Sequence, residues 1–120
     1  NGFPHYMLKE INEEPEVIEK TAARFIKDGI PDFSEAFPED TAGIHIVACG
    51  SAMHAGIVGK YVIEKLARIP VSVETASEFR YREPAVAKNT VLILISQSGE
   101  TADTLAALRY AKERELRLLP

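Results

Sequence analysis

The chain has 120 residues, of which 46% are hydrophobic and 27% are charged, a composition typical of one globular domain with a real core. Its net charge is −4 and it has no run of five basic residues, which argues against a nucleic-acid or anionic-membrane partner. Its apolar runs are far shorter than the roughly 18 residues of a membrane span. No signal-peptide pattern precedes the first predicted helix, and Cys49 is the single cysteine. We therefore expect a protein of the reducing cytoplasm.

The N-terminal part of the chain carries a helical pattern over residues 5–28. Pro15 suits the first turn of a second helix, and Gly29 suits its end. That second helix would have one apolar face. The residues of this face are Val17, Ile18, Thr21, Ala22, Phe25 and Ile26.

Residues 30–43 are rich in proline and in Asp/Ser turn formers, and they predict a loop. Phe33 and Phe37 are expected to anchor this loop to the core. We therefore divide the chain into residues 1–43, a helical segment and loop that packs on a sheet, and residues 44–120, which form that sheet.

From residue 44 onward, strand and helix patterns alternate. Three strands with long helical crossovers predict a three-layer parallel α/β sheet of the flavodoxin-like or Rossmann-like kind. Gly56 and Gly59 lie three apart on the first crossover helix, where they would allow close packing on the sheet. The predicted strands are 44–49, 71–76 and 91–96, the predicted helices are 50–70 and 100–115, and the inward residues of the first helix are Met53, Ile57, Tyr61 and Val62.

Two further segments bear on completeness and association. The charged run 77–84 predicts a solvated loop, with an interface as the alternative. A fourth strand is expected to begin at residues 117–120, and Leu116, Leu118 and Leu119 would otherwise be exposed. The sheet is therefore expected to be incomplete, and its open edge favours a homo-oligomer or completion by other chain segments.

The segment Ser96–Thr101 gives the strongest functional signal. It follows five branched apolar residues and leads directly into an amphipathic helix, so free amide N–H groups and the positive end of the helix dipole point into the turn. Three hydroxyls and Gly99 lie there without a lysine. This favours a small phosphate ester over a nucleoside triphosphate. The alternative is an ordinary capped turn, because Ser and Thr are common N-caps.

A second loop, Cys49-Gly50-Ser51, follows the first strand and also enters a helix. Ligands of open parallel sheets bind beyond the carboxyl ends of the strands, so the two loops would share one pocket if their strands are neighbours. Cys49 is interpreted as a buried structural thiol or, less favourably, as a nucleophile. The chain has neither a G-x-G-x-x-G fingerprint nor a P-loop, and no cofactor or metal is expected. The histidines His5, His45 and His54 show no metal-ligand spacing, and His45 is expected to face outward or to enter a hydrogen bond.

Four stretches, HYMLKEI, ACGSAMHAG, ETASEFRYR and LISQSGETADTL, together resemble the isomerase part of the glucosamine-6-phosphate synthases, the isomerising glutamine–fructose-6-phosphate transaminases. The resemblance covers roughly residues 4–113, and it implies the N-terminal part of the first sugar-isomerase (SIS) domain, preceded by a helical extension. It implies phosphate contacts from Ser96, Gln97, Ser98 and Thr101, and sugar contacts from Cys49, Gly50 and Ser51. At Ala52 many family members carry a serine that also reaches the phosphate.

The resemblance also implies what the rest of such an enzyme supplies. These synthases convert fructose 6-phosphate to glucosamine 6-phosphate in hexosamine synthesis, with ammonia from glutamine. The glutaminase cysteine belongs to a separate domain, and Cys49 is not its equivalent. The acid/base glutamate, ring-opening histidine and Schiff-base lysine belong to the second SIS domain and the C-terminal tail. By itself the fragment is therefore expected to be inactive and to act with those parts.

Three alternatives stay open. A non-catalytic SIS module that senses a sugar phosphate is disfavoured by the ASEFRYR stretch. An arabinose-5-phosphate type isomerase would need a His and Glu pair near the site. A flavin-binding flavodoxin-like fold would need an aromatic residue close to Ser96–Thr101, and none is present there.

Overall fold

The computed structural model describes residues 2–31 and 37–119, which fall into two compact units, residues 1–35 and 36–120. The N-terminal unit begins with helix α1 (Tyr6–Ala23), which runs through Pro15 without a break. The prediction of two helices was therefore wrong. Proline lacks a backbone N–H donor, but its fixed φ of about −65° is compatible with a helix. An ion pair between Lys9 and Glu13 supports the turns before the proline.

A short antiparallel hairpin follows α1, formed by strands β1 (Ile26–Lys27) and β2 (Ile30–Pro31). Asp28 and Gly29 form its turn with φ of 52° and 78°, the backbone of a primed hairpin turn, which favours Asp-Gly. Gly29 thus does not end a helix, and Phe25 and Ile26 do not extend the apolar face of α1, both contrary to prediction. None of the α1 residues is buried.

The second unit is a four-stranded parallel sheet with the strand order β4-β3-β5-β6. The strands are β3 (Gly43–Ala48), β4 (Val71–Thr75), β5 (Thr90–Ile95) and β6 (Arg117–Leu118). The helices are α2 (Ser51–Ala67), α3 (Ala76–Arg82) and α4 (Ala102–Glu113). The predicted parallel α/β class is confirmed, and the predicted fourth strand begins at β6.

The strands alternate their side chains between two core clusters, as expected of a sheet covered on both faces. On one face, Val47 and Leu92 pack with residues of α3 and α4. On the other face, Ile44 and Ile46 pack with Ile63 of α2. Phe37 also packs on this second cluster, as predicted, whereas Phe33 lies outside the described residues.

Helix α3 occupies the segment predicted as a solvated loop, so that prediction was wrong. Phe79 is fully buried between the sheet and α4, and it stacks edge-to-face on the ring of Tyr110 at 5.4 Å. Ala76 and Phe79 are the buried residues of this helix, and its charged side chains stay at the surface. Arg82 donates two hydrogen bonds to Glu74, at 2.8 and 2.7 Å.

Helix α2 packs on the sheet through Gly56. A Cβ at this position would lie 2.9 Å from Ile46 Cγ2, which is too close, whereas a Cβ at Gly59 would lie 3.9 Å from its nearest neighbour. The prediction of close packing is therefore confirmed at Gly56 but is not required at Gly59. Tyr61 and Val62 were wrongly expected to face the core, since they are 68% and 49% exposed.

The edge strand β6 is held by backbone and side-chain contacts. The Leu119 amide donates to the Leu92 carbonyl at 3.0 Å. Arg117 makes a two-fold hydrogen bond to the Asp40 carboxylate, which lowers the pKa of that carboxyl. The pair of Arg117 and Asp40 thus connects the segment before β3 to β6, the last strand of the sheet.

Candidate functional site at the strand ends

Two loops meet at the carboxyl edge of the sheet. Strands β3 and β5 are neighbours, and Ala48 pairs with Ile95 in parallel register, so both strands end at the same level. The loops that follow lead into α2 and α4. Between them lies a cavity of about 440 Å³, lined by Cys49, Gly50, Ser51, Ala52, Ile95, Ser96, Gln97, Ser98, Thr101 and Thr104.

The first loop turns sharply at Gly50, which has φ 57° and ψ −138° and immediately precedes α2. This backbone conformation is strongly unfavourable for a residue with a Cβ. Apart from Gly50 and its two chain neighbours, no residue has an atom within 4 Å of the place where a Cβ would be, so the backbone here is open to a ligand. No side chain caps the start of α2.

Cys49 has two roles in the structure. It lines the cavity, and it is half-buried against the cluster that contains Val47. The interpretation as a structural thiol therefore fits its packing. Its predicted contact with a sugar stays a prediction.

The second loop is organised by its own serines. The Gly99 amide donates to Ser96 Oγ at 3.0 Å, and the Glu100 amide donates to Ser98 Oγ at 3.1 Å. A hydroxyl that accepts a hydrogen bond from an amide keeps its own proton to donate. Both serines can therefore donate to an anion without giving up the bonds that shape the loop.

Thr101 occupies the N-cap position of α4, yet its side chain makes no capping hydrogen bond. Its carbonyl accepts the first helical bond, from the Leu105 amide at 2.9 Å. The hydroxyl is thus not used to cap the helix, and Thr101 lines the cavity. This distinguishes Thr101 from the ordinary capped turn that was the alternative interpretation.

The electrostatics of the cavity come from backbone dipoles rather than from cations. Both α2 and α4 begin at the cavity, so the positive ends of two helix dipoles lie there. Among the described lining residues there is no Lys or Arg. Glu100 is exposed and does not line the cavity, and Asp103 in the first turn of α4 is paired with Arg80 at 3.3 Å.

All seven predicted site residues line this one cavity, and their strands are neighbours as the two-loop hypothesis required. Gly99 lines a separate, smaller cavity instead. Thr104 was missed. Its spacing of three residues from Thr101, on the same helical face, was the signal that could have found it.

His45 is buried away from this cavity, and its Nε2 lies 3.2 Å from Glu74 Oε2. The predicted hydrogen bond is therefore confirmed. Burial lowers the pKa of His45, and the Glu74 carboxylate partly offsets this effect. The Arg82 guanidinium lowers the pKa of Glu74. Within the described part of the chain, no three or more His, Cys, Asp or Glu residues are grouped to hold a metal ion.

A parallel α/β sheet whose strand-end loops form a hydroxyl-lined pocket defines a ligand-binding domain of the doubly wound class. The model of the SIS domain family matches residues 40–120. The chain belongs to the SIS domain family. No helix in the described ranges is long and apolar enough to cross a membrane.

Relatives show which larger proteins carry a similar segment. The chain is 55% identical, over 98% of its length, to the isomerising glutamine–fructose-6-phosphate aminotransferases of Clostridium acetobutylicum and Clostridium tetani. It spans 20% of the length of each of these curated relatives. The C-terminal domain of glucosamine-fructose-6-phosphate aminotransferase from Francisella tularensis superposes with a TM-score of 0.86 and 47% identity, over 98% of this chain and 33% of that one.

Proposed function

We propose that the cavity binds fructose 6-phosphate and its product glucosamine 6-phosphate, as part of the isomerase domain of a glutamine–fructose-6-phosphate aminotransferase in hexosamine synthesis. The observation that carries this proposal is the convergence of two hydroxyl-bearing loops and two helix N-termini on one cavity. The similarity to aminotransferases over 98% of the chain supports this choice of substrate.

The two loops divide the substrate between them. Ser96, Gln97, Ser98 and Thr101 would hold the phosphate, because the serine hydroxyls are already oriented by amides of the same loop. Cys49, Gly50 and Ser51 would contact the sugar from the opposite side of the cavity. Phosphate binding remote from the reacting carbons fixes the substrate in place, which is a genuine catalytic contribution.

The described cavity residues include no Lys, His, Asp or Glu that could serve as the base for isomerisation. In this proposal the acid and base come from elsewhere in the protein, in the second SIS domain and the C-terminal tail. The chain positions the substrate, and on its own it would not turn it over.

The proposal extends to partners and location. The chain would work with the glutaminase domain and the second SIS domain, in a homo-oligomer of the cytoplasm. Support for association comes from α2, whose outer side exposes Val58, Tyr61 and Leu66 at 63%, 68% and 77%, more apolar surface than isolated residues explain. Residues 1–43 as a helical extension and residues 44–120 as the N-terminal part of the SIS domain stay a prediction.

A second candidate is a sugar-phosphate sensor without catalysis. It is favoured by the same lack of an acid or base among the described cavity residues. The two candidates bind the same ligand, so binding does not separate them. Aminotransferase activity of the whole protein separates the two candidates. It is measured as glucosamine 6-phosphate formed from fructose 6-phosphate and glutamine.

The direct test is calorimetric titration of this chain with fructose 6-phosphate, with unphosphorylated fructose and inorganic phosphate as controls. Circular dichroism first establishes that the chain is folded. Binding of the phosphorylated sugar, and weaker or no binding of fructose, supports the phosphate-binding pocket. Equal binding of fructose and fructose 6-phosphate, or no binding by the folded chain, contradicts it.

A further inference from the structure

Thr104 carries a buried hydroxyl that has no hydrogen-bond partner. The residue is 7% exposed, and its Oγ1 is buried and unpaired. It lies in the first turn of α4, one turn beyond Thr101, and it lines the cavity together with the two loops. A buried hydroxyl without a partner costs about 1–3 kcal/mol, so its presence calls for an explanation.

The usual ways to satisfy such a hydroxyl are not used. Within a helix, a threonine ordinarily donates to the carbonyl four residues back. For Thr104 that carbonyl belongs to Glu100, which precedes α4, and the bond is not made. Thr104 also borders a smaller cavity of about 220 Å³ that is lined mainly by leucines. Ser96 lines both cavities, whereas Ser51, Ser98 and Thr101 line the ligand cavity and not the smaller one. Most of the hydroxyl-bearing residues that line the two cavities are therefore on the side of the ligand cavity.

The same side already collects the donors of the proposed phosphate site. Ser96 and Thr101 line the cavity with Thr104, and the start of α4 directs its dipole there. A phosphate oxygen is an acceptor with several lone pairs, and it can take one more donor than the loop hydroxyls supply. A hydroxyl that is unpaired without ligand would thus gain its bond when the cavity is filled.

We propose that Thr104 is a further ligand-positioning residue of this cavity, whose hydroxyl donates to the phosphate of the bound sugar phosphate. This inference rests on the proposed function and adds a contact to it. The proposal predicts two effects of removing the hydroxyl. Removing the hydroxyl should relieve an unpaired buried group in the ligand-free chain and, at the same time, weaken binding of the phosphate ester.

The test compares Thr104→Val, which keeps the side-chain shape and removes the hydroxyl, with Thr104→Ser, which keeps the hydroxyl. Two readouts are measured: the thermal midpoint of the ligand-free chain, and the affinity for fructose 6-phosphate and for inorganic phosphate. For Thr104→Val we expect an equal or higher midpoint and about tenfold or greater loss of affinity for both ligands. Thr104→Ser should retain affinity within about threefold of the parent, since the donor is kept.

Several outcomes would overturn the inference. A lower midpoint for Thr104→Val would mean that the hydroxyl stabilises the ligand-free fold. Unchanged affinity would mean that it does not contact the ligand, and a loss for fructose 6-phosphate alone would remove the phosphate assignment. If the parent chain binds neither ligand, the proposed function itself fails. The pair Thr104→Ala and Thr104→Ser, which differ only by the hydroxyl, gives the same comparison should the valine variant not fold.

Discussion

Ala48 and Ile95 are partners in the parallel register of the two central strands. Because these two residues lie side by side, the chain leaves both strands at one edge of the sheet, and each exit carries a loop with hydroxyls. The cavity between the loops follows from this pairing. A site whose two halves, residues 49–51 and 96–101, are far apart in sequence is thus built by strand order alone.

Thr101→Val tests the proposed phosphate site without disturbing the loop, because the Thr101 hydroxyl makes no capping bond. The dissociation constant for fructose 6-phosphate should rise by a factor that corresponds to about 1–3 kcal/mol, the loss of a hydrogen bond to a charged group. Calorimetric titration measures it. Thr90→Val, at the opposite end of β5, is the matched control and should bind as the parent does.

Ser96→Ala should weaken binding at least as much as Thr101→Val. Ser96 lines the cavity, and its hydroxyl accepts a hydrogen bond from the Gly99 amide at 3.0 Å. Removing the hydroxyl should therefore lose a donor to the ligand and loosen the loop. Titration calorimetry gives the affinity, and amide hydrogen exchange at Gly99 reports the loop. Parent-like affinity in both Ser96→Ala and Thr101→Val would rule out the phosphate assignment.

Ala52→Ser is a gain-of-contact prediction. Ala52 lines the cavity beside Ser51, so a serine there places one more hydroxyl at the ligand. We expect the affinity for fructose 6-phosphate to improve by about 0.5–1.5 kcal/mol, the net worth of one hydrogen bond. Ala55→Ser, on the exposed side of α2, is the control, and equal affinities of the two variants would contradict the prediction.

Gly56→Ala and Gly59→Ala form a matched pair on one helix. The new methyl at Gly56 would lie 2.9 Å from Ile46 Cγ2, so the free energy of unfolding should fall by about 1–3 kcal/mol through overpacking. At Gly59 the nearest atom is 3.9 Å away, and replacing a helical glycine should stabilise by up to about 1 kcal/mol. Urea unfolding of both variants checks the opposite signs, and a shared sign would contradict the packing described for α2.

His45 should make the stability depend on pH. Burial lowers its pKa from the ordinary 6.5, so the unfolded chain takes up this proton first, and stability falls as pH drops below about 6.5. The lowered pKa of Glu74 adds a separate loss below its ordinary 4.5. Urea unfolding between pH 5 and 8 should show a shallower slope for His45→Gln than for the parent; identical slopes would mean that His45 does not titrate differently on folding.

Much of the fold could be predicted because its strands are continuous apolar runs. Strands that are covered on both faces are apolar along their whole length, so they can be recognised in the sequence, as at 44–48 and 91–95. Because these strand patterns alternate with helix patterns, the sequence predicted a parallel α/β sheet. Helix α3 was missed because its charges dominate the pattern, although Ala76 and Phe79, three apart, are both fully buried and carry the helical period.

The remaining errors also have local causes. Pro15 was treated as a helix start, since a proline inside a helix usually costs about 3 kcal/mol, yet α1 continues through it. At Asp28-Gly29 the hairpin signal was present but was interpreted as a helix end. The hydrophobic residues of α2 did not predict which side of the helix faces the sheet, because Tyr61 and Val62 are exposed. The sheet is contacted by Gly56 and Ile63 instead.

The sequence indicated the two loops of the candidate site, but it did not indicate Thr104. The seven predicted residues precede or begin helices, and a hydroxyl-rich turn before a helix is a pattern that can be seen in a sequence. Thr104 lies inside α4 and looks like an ordinary helical threonine. Only its burial without a partner distinguishes it, and burial depends on tertiary packing.

The most direct measurement is a two-dimensional ¹H–¹⁵N NMR titration of this chain with fructose 6-phosphate. It reports every amide separately, so it locates the ligand as well as detecting it. We predict shifts at both loops together, at residues 49–52 and 96–102, with little change at the opposite end of the sheet around Thr90. Shifts confined to one loop, or located away from both, would contradict a single pocket formed by the ends of β3 and β5.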